Sequence, residues 1–147
     1  MIGFNHALTG GLISRYLPAP IGLPLAFASH FVLDMLPHYG IEQNKRDKSR
    51  FWKTFFIIDS FATLGLAIFA VWDRHYVMFF GGLLGVMPDF FWVATVIRTK
   101  SFKNLSQNGN WFMKWHASLQ FYEKPWGLWI ELPYAAIMFY IVMILSW

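Results

Sequence analysis

"FWKTFFIIDSFATLGLAIFAVW", residues 51–72, decides the fold. A hydrocarbon core of roughly 30 Å needs about 20 residues of apolar helix, and this run supplies them. Trp52 and Trp72 bracket it at the positions where indole rings settle at a membrane interface. Two further stretches read the same way: "YVMFFGGLLGVMPDFFWVATVIR", residues 76–98, and residues 126–147, opened by Trp126 and Trp129 and closed by Trp147. Residues 20–37, "PIGLPLAFASHFVLDMLP", are slightly short but reach with flanking adaptation. Residues 4–17 are too short to span and predict a helix that enters partway or packs against the others.

"NGNWFMKWHASLQFYEKPW", residues 108–126, separates the last two spans. Phe112, His116 and Gln120 form one stripe at helical spacing, with Trp111 and Trp115 alongside. This predicts an interfacial amphipathic helix, entered by the turn Asn108-Gly109-Asn110 and stopped by Pro125. The expected fold is a single all-α membrane domain over residues 1–147. It has about four transmembrane helices, a short N-terminal helix and one interfacial helix.

Composition agrees. Charged residues are 14% of the chain, against about 25% in ordinary soluble domains, so the apolar helices require a lipid bilayer as partner. The net charge is +4, concentrated at Lys45, Arg46, Lys48, Arg50 and Lys53 and at Arg98, Lys100 and Lys103. No DNA-reading motif accompanies these residues, which fit membrane-flanking charges that anchor anionic headgroups and exclude a nucleic-acid role. Cysteine is absent, which rules out disulfides, thiol nucleophiles and thiolate metal sites. The start, "MIGFNHALTG", lacks a basic segment ahead of its apolar residues, so a cleaved signal peptide is not expected.

Both basic stretches should face the cytoplasm, since the loop "DRH" at 73–75 carries a single Arg. Helix 51–72 then runs outward, 76–98 returns, 20–37 runs inward and 126–147 outward. At about 1.5 Å per residue, Asp59, Asp89 and His30 all lie roughly 11–13 Å below the cytoplasmic face. Asp34 and His38 step from His30 toward the surface, and His6 reaches similar depth if the N-terminus is cytoplasmic. On this reading the ionisable groups inside the membrane sit in the cytoplasmic half.

Such groups cost several kcal/mol unless paired, so they face the bundle interior or a wet cavity. His30 and Asp34 share a helical face with Ala26; Asp89 shares its stripe with Gly82 and Gly85, small residues that admit a close neighbour. Pro88 frees a backbone carbonyl one turn earlier, and Ser60 and Thr63 can support Asp59. Histidine with aspartate is a ligand set for a divalent metal, zinc first, with manganese or iron as alternatives. His6, His30, Asp34, His38, Asp59, Asp89 and His116 are candidate ligands. They are too many for one closed zinc and suit one or two ions in a hydrolytic centre. Asp34, Asp59 and Asp89 are the candidate catalytic carboxylates.

Plainer roles compete at each position: a hydrogen-bonded pair for His30–Asp34, a protonated buried carboxyl or proton relay for Asp59 or Asp89, a helix cap for His38, and a membrane-facing ring for His116. Glu131, with Pro133 nearby, reads as structural. His30-x-x-x-Asp34 has the spacing of the closing motif of lipid phosphatases, but their PSGH and upstream Lys/Arg motifs are missing. HExxH, Walker, GxGxxG and GxSxG motifs are absent as well.

Three stretches carry a family resemblance. "NHALTGGLIS" (5–14), "SHFVLDMLPH" (29–38) and "GVMPDFFW" (85–92) resemble the YdjM-like group of bacterial inner-membrane proteins, described as membrane-bound metal-dependent hydrolases. An early His-x-x-x-Gly and a later Pro-Asp recur in that group; His6–Gly10 and Pro88–Asp89 match them. The group's His-Arg-Gly-x-Thr-His-Ser stretch is absent. The resemblance implies a multi-helix inner-membrane protein with a metal site. The expected function is a metal-dependent hydrolase open to the cytoplasmic side, with phosphoester or lipid-headgroup substrates. The alternatives are a small metal-ion or proton transporter and a non-catalytic structural membrane protein.

Overall fold

The structure, a computed structural model, describes residues 1–100 and 109–145. Lys103, Asn108 and Trp147, which entered the reading of the charge pattern, the entry turn and the last span, lie outside these residues.

The described chain is almost entirely helical: α1 Gly3–Tyr16, α2 Ala19–Asp34, the short α3 Gln43–Arg46, α4 Arg50–Trp72, α5 Tyr76–Thr99, α6 Trp111–Leu119 and α7 Leu128–Leu145. A 3-10 turn, Pro125–Gly127, leads into α7. The starts follow local chemistry. Ser49 caps α4 by accepting from the Trp52 amide at 3.1 Å, and Asn110 caps α6 by accepting from the Met113 amide at 3.0 Å. In α2 the prolines near the start meet amides that have no intrahelical partner anyway.

Among the described residues, three segments are long and apolar enough to cross a membrane: Arg50–Trp72, Tyr76–Thr99 and Pro125–Ile144. Their outward faces are lined with large exposed apolar side chains, such as Phe61, Ile97 and Ile137, which a bilayer would cover. At 16 residues, α2 measures roughly 24 Å, short of the hydrocarbon thickness by itself.

The short first helix is the centre of the bundle. α1 buries Asn5, His6, Ala7, Leu8, Gly10, Gly11, Leu12 and Ser14 and packs against α2, α4, α5 and α7. Its approach to α5 is backbone-close. A methyl group on Gly85 would overlap the carbonyl of His6, and one on Gly10 the carbonyl of Gly81. Small residues one turn apart on both helices, Gly10 and Ser14 facing Gly81 and Gly85, permit this crossing. Leu8, Leu12, Leu66, Met78, Val86 and Val142 complete the apolar core around it.

Carboxylates from two other helices hold the start of α1. The first amides of a helix have no partner within it. Here Ile2 donates to Glu131 Oε1 at 2.7 Å, Gly3 to Asp59 Oδ2 at 2.9 Å and Phe4 to Asp59 Oδ1 at 2.9 Å. Acidic groups at this end also meet the positive end of the helix dipole. The helix expected over this amphipathic stretch, α6, is shorter than its pattern suggests, ending at Leu119 rather than at Pro125. Glu123 and Lys124 instead pair in parallel with His38 and Tyr39, so a tertiary contact wins over local periodicity.

Candidate metal centre

Asp34 organises the polar interior. It closes α2, is fully buried, and lies near the negative end of that helix's dipole, so it requires donors or cations. Its two oxygens have separate surroundings. Oδ1 meets the Met1 amine and His6 Nε2, the latter at 3.1 Å. Oδ2 meets His116 Nε2 at 2.6 Å, Gln120 Nε2 at 2.9 Å and His30 Nε2 at 3.3 Å.

The two flanking histidines are fixed in opposite senses. His30 Nδ1 lies 2.7 Å from the Gly85 carbonyl, which can only accept, so Nδ1 carries a proton. In a neutral ring this leaves a lone pair on Nε2, aimed at Asp34 Oδ2 and at Asp89 Oδ1, 3.7 Å away. That lone pair also lies 3.0 Å from His116 Nε2, whose N–H it can share with Asp34, while the two carboxylates around it add negative charge that a cation would offset. His30 thus has the tautomer and carbonyl support of an ordinary metal-binding imidazole. His116 is the reverse. Trp92 Nε1, a donor only, reaches His116 Nδ1 at 3.0 Å and places the neutral ring's proton on Nε2, where Asp34 accepts it.

One potential ligand atom each from His30, Asp34, Asp89 and His116 lies within 4.8 Å of all the others. Around an ion with bonds of about 2.1 Å, tetrahedral ligands stand about 3.4 Å apart, so shifts of roughly an ångström or less would close the set. The nitrogen and carboxylate mixture suits zinc, manganese or iron(II). The group could hold a metal. To bind through Nε2 as a neutral ring, His116 would have to carry its proton on Nδ1 and give up the hydrogen bond from Trp92. Asp89, with a side chain 25% exposed, is the member that also lines the cavity between α4 and α5.

The remaining predicted residues are placed as follows. His6 is buried beside the group, its ring stacked on His30 at 3.9 Å between centroids, and its Nδ1 has no hydrogen-bond partner. Asp59 stands apart, with both oxygens accepting the α1 amides. His38 also stands apart. Its Nδ1 donates to the Leu36 carbonyl at 2.7 Å, and its backbone pairs beside Glu123. Burial, with the Met1 amine adding to it, pushes the His38 ring down to about 4. Neither joins the four-residue group.

Sequence reasoning did not give Trp92, the Gly85 carbonyl or the amide of Gln120 a place at the site. Gln120 falls on the His116 stripe one turn later, which is the signal that could have found it. Gly85 and Trp92 lie one turn either side of Asp89 within the stretch 85–92, but which ring nitrogen each meets is set by the helix crossings. No protein-family model matches the chain, and neither a curated protein nor a solved structure does.

Proposed function

We propose that this chain is a membrane-embedded, metal-dependent hydrolase centred on His30, Asp34, Asp89 and His116. The observation that carries the reading is convergence. Fully buried donors from α2 and α6 and a half-buried carboxylate from α5 share one small volume, where two histidine Nε2 atoms and two carboxylates face one another. Two acidic groups in one small volume carry more negative charge than the Met1 amine offsets, and a divalent ion would balance it. With α2 as a fourth, tilted span and the basic loops on the cytoplasmic side, the centre lies in that half of an inner membrane. The resemblance to YdjM-like proteins belongs to the same proposal.

A divalent ion in this site supplies Lewis acidity, polarising a phosphoryl or carbonyl oxygen and making water more acidic. The chain's own residues supply the rest. His30 is held by Gly85, Asp34 by Gln120, and Asp89 faces the space from which substrate and water arrive. Asp89 is therefore the carboxylate positioned to accept a proton from water. The proton it takes can then pass from Asp89 to the leaving oxygen.

A through-membrane carrier fits less well. Beyond Asp59 and Asp89, toward the 73–75 loop, α4 and α5 contain no further Asp, Glu, Lys, Arg or His. The test is hydrolysis of carboxyl-ester, phosphomonoester and phosphodiester amphiphiles by detergent-purified protein loaded with zinc, manganese or iron(II). Activity that disappears on chelation and in Asp89→Asn supports the proposal. Inactivity of the loaded protein on all three classes counts against it.

A further inference from the structure

We propose that the cavity between α4 and α5 is an acyl-chain channel, so that the substrate of the centre is an amphiphile with one chain inserted there and its headgroup ester at Asp89. This rests on the hydrolytic reading for the headgroup, but the binding of the chain stands on the cavity alone.

The cavity measures about 570 Å³, within the usual range of small-ligand sites. Its polarity changes along its length. At the end nearest α3 the walls carry Arg46, Asp59, Asp89, Gln120 and Glu123; along the helices they are Leu66, Ala70, Met78, Leu83 and Val86. From Asp89 to Met78 along α5 is roughly 16 Å of apolar lining. Arg46 is paired with Glu123 there, so an apolar tunnel ends in a neutralised ion pair, an amide and the Asp59 and Asp89 carboxyls, which suits an amphiphile and neither a polar metabolite nor a wholly apolar one.

Access also comes from the lipid side. Leu64, Leu83 and Phe90 line the cavity yet are exposed on the outer surface, so it opens sideways between the two helices. The cause lies in packing. Glycines draw α5 onto α1, whereas α4 buries only Trp52, Leu66 and Ala70 of its 23 residues and stands off from α5. The fold thus leaves a slot of acyl width facing the bilayer, with the metal-binding group at its polar end.

The experiment uses a lysophospholipid bearing a photoreactive group near the end of its acyl chain, added to the protein in nanodiscs and mapped by mass spectrometry. Labelling is expected at Met78 and Ala70, which are buried within the slot, and it should fall at least tenfold with excess unlabelled lysophospholipid. Labelling at Phe61, on the outward face, should not respond to competition. Ala67→Phe, which fills the slot, should abolish the competed labelling and leave metal content unchanged. Asp34→Asn should keep it. Labelling confined to outward residues, or insensitive to competitor and to Ala67→Phe, overturns the channel. Specific labelling by protein that binds no metal sustains the channel and sinks only the hydrolytic reading.

Discussion

Asp34 Oδ2 and His116 Nε2 lie 2.6 Å apart although 82 residues separate them in sequence. The bond joins the end of α2 to α6, and Gln120 reinforces it from just past the end of α6. The position of α6 over the bundle is thereby tied to the ionisation of one buried carboxylate.

The tautomer of His116 follows from Trp92. Trp92→Phe removes the donor to Nδ1 and leaves a buried acceptor unpaired, at a cost of about 1–3 kcal/mol in stability. The ring is then free to carry its proton on Nδ1. Nitrogen-15 spectra of histidine-labelled protein should show His116 protonated at Nε2 in the metal-free wild type and a mixture of tautomers in the variant. Protonation at Nδ1 in the wild type contradicts the assignment.

Asp59 anchors α1 and lies outside the four-residue group. Asp59→Asn replaces one acceptor oxygen with an amide nitrogen that faces the Gly3 or Phe4 N–H. It should lower stability by about 1–3 kcal/mol, seen as earlier thermal unfolding in detergent. Metal binding should persist at its original stoichiometry, and its loss would place Asp59 within the centre.

Backbone contact between α1 and α5 makes Gly85 intolerant of any side chain. Gly85→Ala should cost about 1–3 kcal/mol through overlap with the His6 carbonyl. Gly65→Ala is the control, because a methyl there meets nothing within 4 Å and helix propensity favours alanine by about 0.5–1 kcal/mol. Opposite shifts in melting temperature are expected. Equal shifts would refute the close crossing.

The depressed His38 ring gives a pH window. Folded, it titrates near 4; unfolded, near the ordinary 6.5. Between those values the unfolded chain binds the extra proton, so stability falls as pH drops from about 6.5 toward 4, by on the order of 3 kcal/mol from this residue. Asp34 and Asp89, with the Leu36 carbonyl, oppose the shift without cancelling it. In His38→Gln the decline across that window should flatten. A decline identical to that of the wild type would show that other groups produce it.

Much of this architecture is legible in the chain because bilayer thickness fixes helix length, and length with flanking tryptophans fixes the spans. The pairing of His30 with Asp34 is visible because i and i+4 share a helical face whatever the tertiary fold. Asp89 is legible as a polar group in an apolar span and His116 as the ionisable member of an amphipathic stripe, but their meeting depends on how α2 packs against α5 and α6. Asp59 looks identical to Asp89 from sequence, since each is one carboxylate in an apolar span. What separates them is the neighbour: bare amides at the start of α1 for Asp59, and the lone pair of His30 for Asp89. The early stop of α6 was likewise hidden, because the strand pair that ends it lies more than 80 residues away in sequence.

The central claim is a buried metal site, and the most direct test is the metal content of detergent-purified protein by elemental mass spectrometry, for the wild type, Asp34→Asn, Asp89→Asn and Asp59→Asn. Near-stoichiometric zinc, manganese or iron in the wild type and in Asp59→Asn, lost in Asp34→Asn and Asp89→Asn, is the predicted result. A wild-type protein that holds none of these metals, even after reconstitution, would contradict the account and leave the four residues as a packing and proton-sharing network.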